Sequence, residues 1–182
     1  MTRTKHSRSS SRTELLYGIK PVCEALRQRK RKFSELFIKR GNYLSGRISY
    51  IQKLAKEIGI TVNEVPGNKL SEMCPNAVHQ GVVLRCSILP FSLISDLPLT
   101  LESKLPLIVV LDQVEDPHNL GAVIRTCGFF DVGAVVLSKD HSCGLTPVVS
   151  KSSSGVAEWL TVISTTNLTR FLQKQKTEGY WI

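Results

Sequence analysis

The sequence predicts an α/β protein built as two modules, and three observations carry that prediction. Between Glu14 and Ser87, short apolar runs of strand character alternate with runs whose apolar residues recur every three to four positions. From Leu107 onward the order reads strand, helix, strand, helix, strand, helix, the pattern of a parallel sheet with right-handed crossovers. The stretch between them, SILPFSLISDLPLTLESKLP from Ser87 to Pro106, carries three prolines and no sustained period. It reads as a linker that packs on the modules it joins. The expected organisation is a basic arm over residues 1–13, an α/β module over 14–87, a linker over 88–106 and a parallel-sheet module over 107–182.

The elements follow in order. LLYGIKPVCEALRQ is expected to be a helix with Val22 and Leu26 on its apolar face, and SELFIKR a strand. RISYIQKLAKEIG places Ile48, Ile51, Leu54, Ala55 and Ile58 at helical spacing and ends at Gly59, where a helix-terminating glycine belongs. ITVNEV and GVVLRC read as strands, the second entered through a turn at His79–Gly81. In the second module LIVVLD and GAVVLS are buried parallel strands, a helix opens near Asn119, and TPVVSKSSSGVAEW leads into the strand LTVI. A last helix carries Leu168, Phe171 and Leu172 on one face and stops at Gly179. Tyr180–Ile182 then reads as the opening of a further buried strand, so the pattern implies more strands than the 182 residues hold.

The charge is concentrated at one end. Residues 1–40 hold twelve Lys/Arg against three acids, and residues 41–182 hold twelve of each, so the whole net charge of +9 belongs to the first forty residues. A polyanionic partner such as RNA is expected to meet that end, above all at RQRKRK, where Arg27, Arg29, Lys30, Arg31 and Lys32 could neutralise phosphates; the alternative is a solvated charge run. Residues 1–13, rich in Arg and Ser and without an acid, suit either an organelle-targeting segment or a basic arm. Five scattered cysteines show neither metal-ligand spacing nor a disulfide framework, so no metal is expected and a reducing compartment is. No apolar stretch approaches the roughly 18 residues of a membrane span.

One stretch carries chemistry. In LDQVEDPHNLGAVIRTCGFF, Asp116 and Pro117 have the residue types of a helix N-cap and first turn. The helix they open begins at the carboxyl end of a parallel strand, where open α/β sheets place their ligands. Arg125 has apolar flanks and must find a carboxylate, a phosphate or water; Glu115 or Asp131 could supply the carboxylate. Asn119 and Arg125 lie about 120° apart on an ideal helix, so they would flank a substrate rather than share a face.

LDQVEDPHNLGAVIRT resembles the first motif of the SpoU-type RNA ribose 2′-O-methyltransferases of the trefoil-knot superfamily, and the resemblance covers nearly all of the chain from Leu15. LLYGIKPVCEAL through HQGVVLRC is similar to their ribosomal-protein-like substrate-binding domain, and LTPVVSKSSSGVAEWL to the segment after the first motif. SCGLTPVVSKSS looks most like the mitochondrial members that methylate a guanosine of large-subunit ribosomal RNA. The resemblance implies a homodimeric enzyme of the mitochondrial matrix, or else of cytoplasm or nucleolus, that moves a methyl group from S-adenosylmethionine to a ribose 2′-hydroxyl. It places Asn119 and Arg125 at the catalytic centre. Lys151 would touch RNA or simply cap a helix end. Two later family motifs that form the knot and hold the methyl donor have no counterpart here, so the donor-binding residues are expected to be absent from residues 1–182. The fold expected by resemblance is therefore an N-terminal substrate-binding α/β domain plus a partial methyltransferase sheet lacking its knot. A noncatalytic RNA-binding fragment and a transfer-RNA methyltransferase are the alternatives.

Overall fold

The computed structural model describes residues 12–41, 46–97 and 106–182. The expectation for the basic arm falls mainly on residues 1–11, outside the described residues.

The first module is a mixed four-stranded sheet. Its strands are β1 (Thr13–Tyr17), β2 (Phe33–Lys39), β3 (Thr61–Val65) and β4 (Val82–Ser87), in the order β1-β4-β2-β3. β4 runs antiparallel to both β1 and β2, and β2 runs parallel to β3. Helices α1 (Ile19–Gln28) and α2 (Gly46–Ile58) cover one face, where Val22, Ala25, Leu26, Ile48, Ile51 and Ala55 meet Leu16, Leu36, Ile38 and Leu84. The other face is covered by the short helix α3 (Gly67–Met73), whose Leu70 packs with Val83 and Cys74.

The structure corrects the start of the first helix. Leu15–Tyr17 pair with Leu84, Val83 and Arg85 of β4 and belong to a strand; the helix begins only at Ile19. Gly18 sits between them at φ +96°, a backbone conformation that a strand-to-helix corner needs and that glycine adopts without Cβ strain. Helix α3 was not expected. It is seven residues long and buries a single side chain, too short for an apolar period to show.

The second module is a fully parallel sheet of β5 (Ile108–Leu111), β6 (Ala134–Ser138) and β7 (Val162–Thr165), in the order β5-β6-β7. Central β6 is buried along Ala134–Leu137, as the continuous apolar run predicts for a strand covered on both faces. On one side lie α4 (Pro117–Phe129) and α5 (Pro147–Ser152), with Leu120, Ile124, Cys127 and Val149 packed on Val135, Leu137 and Val162. On the other side α6 (Leu168–Thr177) buries Phe171 against Val136 and Ile163.

The linker does pack on the modules. Leu89 enters the core under α4, and the Ser92 amide donates to Val162 O at 2.8 Å, bridging the outer edge of β7. Residues 98–105 of the linker lie outside the described residues. At the opposite edge, β5 pairs only with β6 among the described residues. Tyr180–Ile182 forms no strand there: Gly179 turns the chain at φ +96°, and Trp181 and Ile182 stay exposed beside β5.

The modules are pinned together by a buried ion cluster. Arg31 Nε and Nη2 donate to the two carboxylate oxygens of Glu158, each at 2.8 Å, and Arg31 Nη1 donates to Glu14 and to Ser87 O. Ser150 donates to the same Glu158 carboxylate at 2.6 Å. The Arg31 and Glu158 side chains have no solvent exposure.

Candidate functional site

The site grows from the turn between β5 and α4. Asp116 takes an extended conformation at the N-cap and its Oδ1 accepts from the His118 amide at 2.8 Å, with Pro117 in the first turn. This is the local chemistry that starts a helix, with a carboxylate facing the positive end of its dipole. The turn is held from the neighbouring loop: the Gln113 amide donates to Ser138 Oγ at 3.1 Å and the Cys143 amide to Val114 O at 2.9 Å. The start of α4 is therefore fixed at the carboxyl edge of the parallel sheet.

Register on α4 explains its arginine. Leu120, Gly121, Ile124 and Cys127 face the core, while Asn119, Ala122, Arg125, Thr126 and Phe129 are exposed. Arg125 thus sits on the outer arc of an otherwise apolar helix. The expected carboxylate partners do not meet it: Glu115 approaches His141 at 3.8 Å, and neither Arg125 nor Asn119 has a side-chain partner among the described residues. An arginine carrying five N–H donors and no counter-ion among the described residues, exposed on the outer face of a helix, is free to bind a phosphate.

Helix α5 buttresses this helix. Gly121 faces it so closely that a Cβ would lie 2.4 Å from the Ser152 Cβ and 3.0 Å from Val149 O. Ser152 Oγ also lies 3.2 Å from His118 Nδ1. Ser153 is buried and accepts from the Ala157 amide, so it stabilises its own loop. Lys151 turns the other way, donating to Gln80 Oε1 at 3.0 Å, and burial lowers its pKa.

The basic run of the first module is not one surface. Arg31 leaves it altogether, buried in its cluster with Glu158 and Glu14, and is corrected here from a phosphate contact to a structural ion. Burial works against its charge, but the hydrogen bonds and charge of Glu158 outweigh that and raise its pKa. Lys30 donates to Trp159 O at 3.0 Å, and burial lowers its pKa. Arg27 is offset by Glu24 at 3.0 Å. Arg29 and Lys32 keep exposed side chains without partners among the described residues. Sequence reading missed Gln80, whose Oε1 accepts both from Lys151 and from the Ile19 amide at 3.1 Å and so ties α5 to the start of α1. The HQG turn held the only signal, since Gln80 and Gly81 both take positive φ.

These features define an α/β protein with an asparagine at the start of a helix on the carboxyl edge of a parallel sheet and an unpaired arginine on that helix's exposed arc, joined through a buried ion cluster to a basic mixed-sheet module. Residues 106–182 match the SpoU rRNA Methylase family, and residues 15–92 match the RNA 2′-O ribose methyltransferase substrate-binding family. The chain is 37% identical over 177 residues to human mitochondrial rRNA methyltransferase 1, covering 95% of this chain and 50% of that protein. It is 32% identical over 170 residues to the 23S rRNA (guanosine-2′-O-)-methyltransferase RlmB of Shewanella oneidensis, covering 93% of this chain and 69% of the relative. The chain belongs to the SpoU family of RNA methyltransferases.

The fold agrees with the SpoU methyltransferase AviRb of Streptomyces viridochromogenes in complex with S-adenosylmethionine, at a TM-score of 0.71 and 16% identity over 97% of this chain and 65% of that one. The chain therefore spans between half and about two thirds of the proteins it matches.

Along the free edge of β5 lies a cavity of about 540 Å³, walled by Ile108, Val110, Phe171 and Leu172, with Asp112 and Gln175 as polar members. Gln175 is buried, and its Nε2 has no partner. Asp112 suits the cationic groups of S-adenosylmethionine, but among the described residues no basic side chain lines the cavity to meet the carboxylate. These residues do not by themselves fit the methyl donor.

Proposed function

We propose that this chain provides the RNA side of a ribose 2′-O-methyltransferase acting on a guanosine of large-subunit ribosomal RNA, with Asn119 and Arg125 at the reacting ribose. The observation that carries the reading is the unpaired Arg125 on the exposed arc of α4, six residues on from Asn119 at the helix start. Family membership and the guanosine 2′-O activity named for RlmB support it.

Arginine is a poor general base, because it holds its proton above pH ~12. Arg125 instead binds a phosphate of the RNA and stabilises the alkoxide that develops at the 2′-oxygen. That phosphate assists removal of the hydroxyl proton, and Asn119 orients the ribose or Arg125. S-adenosylmethionine supplies the methyl group in the family. The cavity beside β5 lacks a counter-charge for its carboxylate, which favours a second reading in which residues 1–182 alone read RNA without transferring a methyl group. A transfer-RNA substrate is the alternative within the enzyme class.

A mitochondrial site is proposed from the likeness to the human mitochondrial relative. Self-association is supported by the exposed Phe129 and Phe130, packed edge to face, and by the open edge of β5. Equilibrium sedimentation over a concentration series tests it, and a strictly monomeric chain sinks it.

The experiment for the main reading is titration of a large-subunit ribosomal RNA fragment and of S-adenosylmethionine into the purified chain, with labelled methyl transfer measured alongside. Specific RNA binding that Arg125→Ala weakens is the expected result. Methyl transfer by the chain alone would remove the RNA-only reading, and RNA binding indifferent to Arg125→Ala would remove the role given to that residue.

A further inference from the structure

A second cavity, of about 230 Å³, lies where the two modules meet. Its walls include Lys20 from α1, Arg47 from α2, Gln80 from the turn before β4, Lys151 from α5 and Ser154 from the turn after it. Three of these side chains are cationic, and among the described residues no acidic side chain lines it. Glu24, the nearest acid on α1, is engaged by Arg27.

Like charges converging without a counter-ion repel one another. Lys20 and Arg47 are exposed and have no carboxylate partner among the described residues. Lys151 gives one N–H to Gln80, leaving two free, and burial lowers its pKa as expected for an ammonium partly withdrawn from water. Its ammonium lies against Gly18, where a Cβ would stand 2.6 Å from Lys151 Nζ and push the lysine aside. The volume falls below the ~300–1,000 Å³ of ordinary small-molecule pockets, and the walls are polar where such pockets are apolar. A small, strongly charged anion suits it.

The cavity is mechanically tied to the candidate active site. Lys151 belongs to α5 with Ser152, which touches His118 and lies under Gly121 at the start of α4, and Ser154 follows in the turn that ends α5. The α5 end thus carries two cavity walls on one side and supports the Asn119 helix on the other.

We propose that this cavity is a subsite for a backbone phosphate of the bound RNA, flanking the ribose held at Asn119 and Arg125, with Lys20, Arg47 and Lys151 as its cationic walls. The inference rests on the RNA reading above and deepens it. Such a contact fixes the register of the strand without reading a base.

The test measures binding of a fluorescein-labelled RNA hairpin by anisotropy between about 50 and 200 mM salt, using the full chain. Lys20→Gln/Arg47→Gln changes two exposed side chains, and circular dichroism verifies the fold. Lys53→Gln/Lys56→Gln removes the same charge from exposed positions of α2 that do not line the cavity. The cavity pair is expected to weaken binding to all sequences and to reduce the salt slope by roughly one per cation, about two in all. The control pair should change the slope by less than half of that. Equal slopes for the two pairs, with wild type binding, would overturn the subsite and leave the RNA reading standing. No binding by wild type would overturn both.

Discussion

Replacing Arg31 by methionine is expected to destabilise the protein far more than replacing any other cation of the basic run. The side chain is fully buried and forms two 2.8 Å bonds to Glu158, which is itself unexposed. Its loss leaves a buried carboxylate with only the Ser150 hydroxyl as partner. Breaking such a pair costs about 3–5 kcal/mol, because the remaining charge keeps its desolvation penalty. Against the 5–15 kcal/mol typical of a domain, that is a large fraction. At about 2–4 °C per kcal/mol for this size, the melting temperature should fall by roughly 6–20 °C. Arg27→Met is the internal control, since its pair with Glu24 is exposed and worth about 0.2–1 kcal/mol. The double variant Arg31→Met/Glu158→Met should recover much of the loss, because apolar residues of similar volume remove both charges together. Urea unfolding followed by circular dichroism reads all three. An Arg31→Met loss no larger than that of Arg27→Met would refute the cluster as a structural ion.

Two further outcomes follow from the packing. Gly121→Ala forces a Cβ to within 2.4 Å of Ser152 and should cost about 1–3 kcal/mol in urea unfolding, as overpacking does; a neutral effect would mean that α5 yields freely. Burial raises the pKa of all five thiols, Cys86 to about 12, so each stays protonated above the ordinary thiol range and forms little thiolate near pH ~8.5. In the native protein iodoacetamide should label half-buried Cys23 and Cys143 first and Cys86 last, with all five labelled in urea. Mass spectrometry that finds Cys86 labelled as fast as Cys23 would contradict the packing of the first module.

What was legible in the sequence was what local chemistry decides. Helix α4 is set by Asp116 and Pro117 within two residues of its start, and β6 by an unbroken apolar run. The first helix was misplaced by four residues, because Leu15–Tyr17 take their conformation from β4, far along the chain. Gly18 was the available sign of that corner. Arg31 is the sharper case: in RQRKRK it is indistinguishable from its neighbours, and only Glu158, 127 residues away, makes it a core residue. An isolated glutamate in the apolar context VAEWL was a faint signal that a buried cation had to exist.

The same reasoning separates Arg125 from Arg31. In sequence Arg31 sits among cations and reads as a phosphate contact or a solvated charge, whereas Arg125 sits among apolar residues and reads as a partner of a carboxylate, a phosphate or water. Arg31 precedes a strand at the junction of two modules, where carboxylates from both converge on it. Arg125 follows Ile124 by one position, which on a helix turns it about 100° away from the core. The buried face of α4 is complete without it, and among the described residues no carboxylate reaches it. If Arg125 served only solubility, Arg125→Gln would leave RNA affinity and its salt slope unchanged; as a phosphate ligand, its loss reduces the slope by about one. The partner of the first arginine is inside the fold, and the partner of the second comes from outside it.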